Sequence, residues 1–271
     1  MTRPPRVGHP RHESGPNKIP QITLFFWITK IVATTLGETG GDLLSQTLKV
    51  GYAVSSMIFI GLFMISLVTQ VRADSLHPGL YWTAILTTSM AGTTISDFMN
   101  RTAGLGYTRG ALVLVTILLL VFMVWRYSGH SFDVTRIVTF KGEMLYWTAI
   151  LVSNTLGTSL GDFLSDSSGL GYAGGAILIW SLLLLIASAR YHRRVPNTLL
   201  FWMAFVLTRP MGATLGDFFT KPTVKGGLGY GTAGSSMILL AVLVVLIVEA
   251  RRRQVKQRRK PLSRSAQHDA R

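Results

Sequence analysis

Four aspartates, Asp42, Asp97, Asp162 and Asp217, each stand 15 residues after a tryptophan: Trp27, Trp82, Trp147 and Trp202. Each is preceded at three residues by a hydroxyl, in turn Thr39, Thr94, Ser159 and Thr214. On a helix, positions four before and three after share the aspartate's face, which adds Glu38 and Ser45 to the first copy, Thr93 and Asn100 to the second and Thr158 and Ser165 to the third. The fourth departs, with Ala213 and Thr220. Carboxylates and hydroxyls with no thiolate or imidazole form an oxygen-only set, suited to a hard cation such as Mg²⁺, Ca²⁺, Mn²⁺ or Na⁺. The same recurrence also fits a folding device, in which each aspartate caps the hairpin that follows by accepting backbone N–H groups.

The elements that must carry these residues are helices in lipid. The chain is 48% hydrophobic and only 14% charged, where a soluble domain has roughly 25% charged residues. Apolar segments of bilayer-spanning length fall at about 22–43, 52–71, 80–100, 107–125, 144–165, 171–189, 197–219 and 230–249. The expected fold is all-α and integral to the membrane, with eight transmembrane helices forming four parallel two-helix repeats in a pseudo-symmetric bundle. The repeats run over about 22–72, 78–126, 143–190 and 197–250 of a transmembrane domain at 22–250. A Gly-Tyr pair opens each second helix, at Tyr52, Tyr107, Tyr172 and Tyr230, and Pro222 to Lys225 form a small insertion in the fourth copy. With two helices per copy all four repeats share one orientation, unlike inverted transporter repeats.

The formal net charge of +15 is concentrated outside the apolar runs. The arm, the loops on its side and the tail hold 20 of the Lys and Arg residues, and the aspartate-side hairpins hold five. Positive loops stay inside, so the expected location is a bacterial inner membrane, crossed many times, with both termini cytoplasmic. Residues 1–21 read as a disordered basic arm and 251–271 as a basic cytoplasmic tail that meets anionic lipid; nucleic acid is not an expected partner. Each tryptophan is then an anchor at the inner interface, and each aspartate lies about 22 Å further along its helix.

Lys30 and Glu38 occur inside an apolar span only in the first repeat, and Arg209 only in the fourth. They are read as an interhelical pair locking those repeats together, or as a gate. A ring of four repeats sets the first beside the fourth, which pairs Arg209 with Glu38 or Asp42. The glycines near each aspartate, such as Gly37, Gly157 and Gly212, allow close helix packing or a helix break. There is no cysteine, no phosphate loop and no histidine in a predicted span. No enzyme and no cofactor is therefore expected. Two functions from different classes remain: a transporter or channel-like protein moving a small hard cation, divalent metal export included, and a non-transporting scaffold or sensor subunit whose aspartates cap the outer hairpins.

The motif reads Gly41-Asp42-Leu43, Ser96-Asp97-Phe98, Gly161-Asp162-Phe163 and Gly216-Asp217-Phe218. With its tryptophans and tandem two-helix units, the span Ile22 to Val248 resembles a bacterial membrane-protein family of unknown function, whose members are called membrane-anchored proteins. The resemblance implies the four-repeat fold and no substrate. A more distant likeness is to cation exporters with a Glu-x-Gly-Asp signature. Here Glu38-Thr39-Gly40-Gly41-Asp42 has one residue more, and the other copies lack the glutamate.

Overall fold

A computed structural model describes residues 18–134, 137, 139–191 and 195–268, with side chains to residue 256. Residues 1–17 of the basic arm and 269–271 of the tail lie outside the described residues. Among them the fold is all-helical, with eight α-helices: α1 Leu24–Asp42, α2 Tyr52–Arg72, α3 Pro78–Asp97, α4 Tyr107–Tyr127, α5 Phe140–Asp162, α6 Gly171–Ala189, α7 Asn197–Thr220 and α8 Gly231–His268. Proline at the first turn starts α3, where a missing N–H costs nothing. The Thr139 hydroxyl accepts from Gly142 N (3.2 Å) to cap α5. Gly51 and Gly106 precede α2 and α4 at φ 84° and 70°, a backbone region that explains glycine in the Gly-Tyr pairs.

The odd-numbered helices form a closed inner ring: α1 packs on α3 and α7, and α5 packs on the same two. Each even-numbered helix lies against the inner helix of the next repeat, α2 on α3, α4 on α5, α6 on α7 and α8 on α1. Glycine writes the seams. A Cβ at Gly37 would strike Ser89, at Gly92 Asn154, at Gly157 Arg209 and at Gly212 Thr34. Each of these glycines stands five residues before its aspartate, and each meets the residue eight before the aspartate of the next repeat. The α-helices run unbroken through them, so their role is close approach and not a helix break.

Among the described residues five helices are long and apolar enough to cross a membrane: α2, α4, α6, α7 and α8 (its Gly231–Lys256 part). Of the eight expected crossings, the inner helices α1, α3 and α5 fall outside this set, while the inner α7 is within it. Helices α1, α3 and α5 are rich in Gly, Thr and Ser because the other helices enclose them, and about half of their buried residues are of these types. The outer helices turn large apolar side chains outward, among them Met57, Ile65, Leu112, Leu119, Leu185 and Val245. That much exposed apolar surface suits lipid or a protein partner and not water.

Directly after the aspartate, α1, α3 and α5 each pass into a five-residue π-helical turn, Leu43–Thr47, Phe98–Thr102 and Phe163–Ser167. The fourth copy lacks it. There α7 continues to Thr220, and the insertion forms a short 3₁₀ turn at Thr223–Lys225.

Candidate functional site

Counting back from the aspartates in steps of four picks out one buried stripe on each inner helix. The four-before positions are Glu38, Thr93, Thr158 and Ala213; the eight-before positions are Thr34, Ser89, Asn154 and Arg209; all are buried. At the far end, sixteen before, come Phe26, Tyr81, Tyr146 and Phe201, also buried. Residues of equal register meet there: Phe26 lies 6.4 Å from Tyr81 and 6.5 Å from Phe201 between ring centroids, and the Tyr81 and Tyr146 hydroxyls are 2.8 Å apart. The inner helices therefore run parallel, and an aromatic layer closes the bundle opposite the aspartates.

The aspartates form the polar end of this stripe, each at most 4% exposed. Their partners stand one turn further on. Arg101 Nε is 3.0 Å from Asp97 Oδ1, and its Nη2 is 3.8 Å from Asp162 Oδ2, which joins α3 to α5. Lys221 Nζ lies 3.2 Å from Asp217 Oδ1 and 3.7 Å from Asp42 Oδ2, which joins α7 to α1. Gln46 Nε2 donates to Asp42 Oδ1 at 2.6 Å. Four carboxylates share two cations here, each cation bridging two of them, so the layer would carry a net charge of −2 with all four ionised. Asp97 Oδ1 and Asp162 Oδ2 lie at ion-pair distance from Arg101 without the alignment of a hydrogen bond, and both are buried. Burial alone would lower the Lys221 ammonium, but Asp217 and Asp42 outweigh it and hold the group above its ordinary value of 10.5.

This geometry corrects several expectations. The aspartates are tied through side chains: among the described residues no backbone N–H of a following helix donates to them, and α2, α4 and α6 start without a side-chain cap. Hairpin capping is supplied instead by backbone bonds of the π-turns, such as Leu48 N to Leu43 O at 2.8 Å. Two of the hydroxyls three before the aspartates, Thr39 and Ser159, bond across helix seams. Thr39 accepts from Ser236 of α8 (2.9 Å), Ser159 bonds Ser96 and Asn100 (each 2.8 Å), and Thr94 and Thr214 bond their own helices. Among the described residues no three Asp, Glu or His side chains gather as metal ligands.

The tryptophans also move from the interface to the core. Trp82, Trp147 and Trp202 are 1%, 3% and 6% exposed, inside the aromatic cluster, and Trp202 Nε1 donates to Phe132 O at 3.2 Å. Only Trp27 is half-buried, as an anchor would be. An aromatic at this depth packs against its ring-mates, a constraint that single-helix spacing does not reveal.

Arg209 and Glu38 meet across the seam of the first and fourth repeats, with Nη2 2.9 Å from Oε2, and both side chains are enclosed. Nη2 also donates to Thr158 Oγ1 at 2.6 Å and to Thr93 Oγ1, so all four inner helices join at one point. Among the described residues Lys30 has no carboxylate partner. Its Nζ sits 3.6 Å from the centroid of the Phe205 ring, in place of the cross-helix ion pair expected of it.

Some partners were missed. Arg101, Lys221 and Gln46 each stand four residues after an aspartate, which is a helical pairing interval. That signal was present in the spacing. The contact of Lys18 with Glu143 (3.0 Å) and with Val71 O (2.7 Å) had none, because it ties a segment before α1 to α5 and α2.

A family model described as Repeat of Unknown Function (DUF347) matches the chain four times, over residues 25–75, 80–131, 145–195 and 200–255. The chain belongs to this family. Each DUF347 match takes one inner helix with the outer helix that follows it, the same unit that repeats in the packing. No curated protein and no solved structure matches the chain.

Proposed function

We propose that this chain spans the bacterial inner membrane eight times and moves a small hard cation, with the aspartate layer as its outer binding station. The observation that carries this reading is the charge of that layer: four buried carboxylates against Arg101 and Lys221. Buried carboxylates in excess of their counter-charge are expensive, and a visiting cation supplies the difference. The hydroxyl- and glycine-rich ring lies inside an apolar jacket, which suits a polar pathway held away from lipid. The Arg209–Glu38 junction is then a closed lock on that pathway, which a cation arriving at Glu38 would open by replacing the guanidinium.

Reconstitution in proteoliposomes tests it. Uptake of Mg²⁺, Mn²⁺, Ca²⁺ or Na⁺ should be lost in each of Asp42→Asn, Asp97→Asn, Asp162→Asn and Asp217→Asn while the variants stay folded. Uptake at the parent level in all four removes the aspartates from any pathway. Orientation is tested separately: reporter fusions should place both termini in the cytoplasm, and a periplasmic signal from either end inverts the scheme.

A scaffold or sensor subunit is the second reading, favoured by the closure of the bundle through the aromatic layer and the fully enclosed Arg209. In both readings the start of the basic tail meets anionic lipid. Arg251, Arg252 and Lys256 border a shallow surface groove with Val248 and Val255, which suits phosphate headgroups beside acyl chains.

A further inference from the structure

At the tryptophan end of the bundle a lysine from outside the helices sits among oxygens. Lys18, six residues before α1, places Nζ 3.0 Å from Glu143 Oε1 and donates to Val71 O at 2.7 Å. Its own carbonyl accepts from Gln70 Nε2 at 3.3 Å. Glu143 lies in the first turn of α5, and Gln70 and Val71 lie in the last turn of α2, where helix carbonyls lack intrahelical partners and the helix dipole is negative. With Tyr146 and Trp147, Lys18, Gln70 and Glu143 line a small cavity that has room for about one water-sized occupant. Two further oxygens of these lining residues, Gln70 Oε1 and Glu143 Oε2, are buried without a hydrogen-bond partner, in residues 3% and 7% exposed.

A lysine that only tied two helix ends together would leave no acceptors over. Here two helices bring four oxygens, Glu143 Oε1 and Oε2, Gln70 Oε1 and Val71 O, and the ammonium meets two of them. Oxygen-only ligands suit a hard cation, and carbonyl oxygens can replace its hydration shell. We infer that the tryptophan end of the bundle carries a site for one small monovalent cation, of the alkali or ammonium class, which Lys18 fills as a tethered ammonium. The single carboxylate sets the valence, and the cavity is too small for an organic cation such as choline. The site lies against the aromatic layer, because Tyr146 both lines the cavity and meets Tyr81, hydroxyl to hydroxyl, at 2.8 Å. Lys18 is thereby also a tethered blocker at that end of the ring, a role that rests on the transport reading, whereas the site itself does not. Nineteen residues of α5, about 28 Å, separate Glu143 from Asp162 and the aspartate layer.

The test uses the full chain purified in detergent with choline as the only salt cation. Lys18→Ala should melt below the parent, and K⁺, Na⁺ or methylammonium replacing choline at constant ionic strength should restore its melting temperature saturably. Glu143→Gln added to Lys18→Ala should raise the half-saturating concentration by about tenfold or more. Recovery that does not saturate, or that is equal in the single and double variants, overturns the site. Should Lys18→Ala not fold, the parent decides. Acetylation of its Lys18, read by mass spectrometry, should be slower than that of the exposed Lys49 and should rise as K⁺ replaces choline; labelling indifferent to K⁺ overturns the proposal. The blocking role is read in proteoliposomes, where Lys18→Ala should take up cation faster than the parent. Equal uptake removes the blocking role, and no uptake by either protein, with the melting response present, fails the transport reading while supporting the site.

Discussion

The two charged levels of the inner ring solve one problem in opposite ways. At the hairpin end the same residue is repeated four times, and its partners Arg101 and Lys221 remain 33% and 23% exposed, each shared between neighbouring carboxylates at 3.0 to 3.8 Å. In the centre the charges occur once. Arg209 and Glu38 are 0% and 4% exposed, and one nitrogen collects three helices' acceptors. In the repeated level the carboxylates are buried but their two cations reach water and are each shared between neighbours, so the partners there are less tightly fixed. The unique, dry level is held fast, because breaking a buried pair strands the surviving charge. The symmetry of the fold therefore belongs to the aspartate layer, and its asymmetry to the lock.

The comparison breaks most readily at the lock. Arg209→Ala should lower unfolding stability by about 3–5 kcal/mol, since Glu38 is left buried without its partner. Adding Glu38→Gln should recover part of that loss. Chemical denaturation of the single and double variants measures both, and a double variant no more stable than Arg209→Ala alone means that Glu38 gains nothing from the guanidinium.

A smaller effect belongs to the seams that bring the lock together. Gly157→Ala places a Cβ against the stem of Arg209 and the ring of Pro210, and overpacking of this kind costs about 1–3 kcal/mol. Gly79→Ala, at a helical glycine whose added Cβ meets nothing, should instead be neutral or stabilising by up to about 1 kcal/mol. Equal melting temperatures for the two variants would show that the seam is looser than its contacts indicate.

An effect smaller than that of the lock is expected at the aspartate layer. Lys221→Gln should destabilise the chain less than Arg209→Ala does, because the ammonium is partly solvated, although it leaves the buried Asp42 and Asp217 without their cation. Its sign with pH is fixed. Lys221 titrates higher in the folded chain than its ordinary 10.5, so its contribution is fully present below that value and fades as pH rises through the folded one. Unfolding curves of parent and variant should differ by a constant amount from neutral pH to about 10 and converge above it. A gap that widens with rising pH reverses the assignment.

The sequence by itself determined the helices, their four-fold repetition and the level of every aspartate, because a period of 3.6 residues and a fixed Trp-to-Asp interval are properties of one strand of chain. It also narrowed the partner of Arg209 to Glu38 or Asp42, since four like repeats in a ring set the first against the fourth, and the structure selects Glu38. Only the tertiary structure decided what faces what across the ring. The tryptophans look like interface anchors until neighbouring helices enclose Trp82, Trp147 and Trp202. Lys30 looks like half of an ion pair until Phe205 occupies the place of a carboxylate. The hydroxyls at Thr39 and Ser159 lie near the aspartates in sequence yet turn into seams with Ser236 and Ser96. A side chain's partner depends on the rotation of each helix about its own axis, and that angle is set by the glycine contacts between helices.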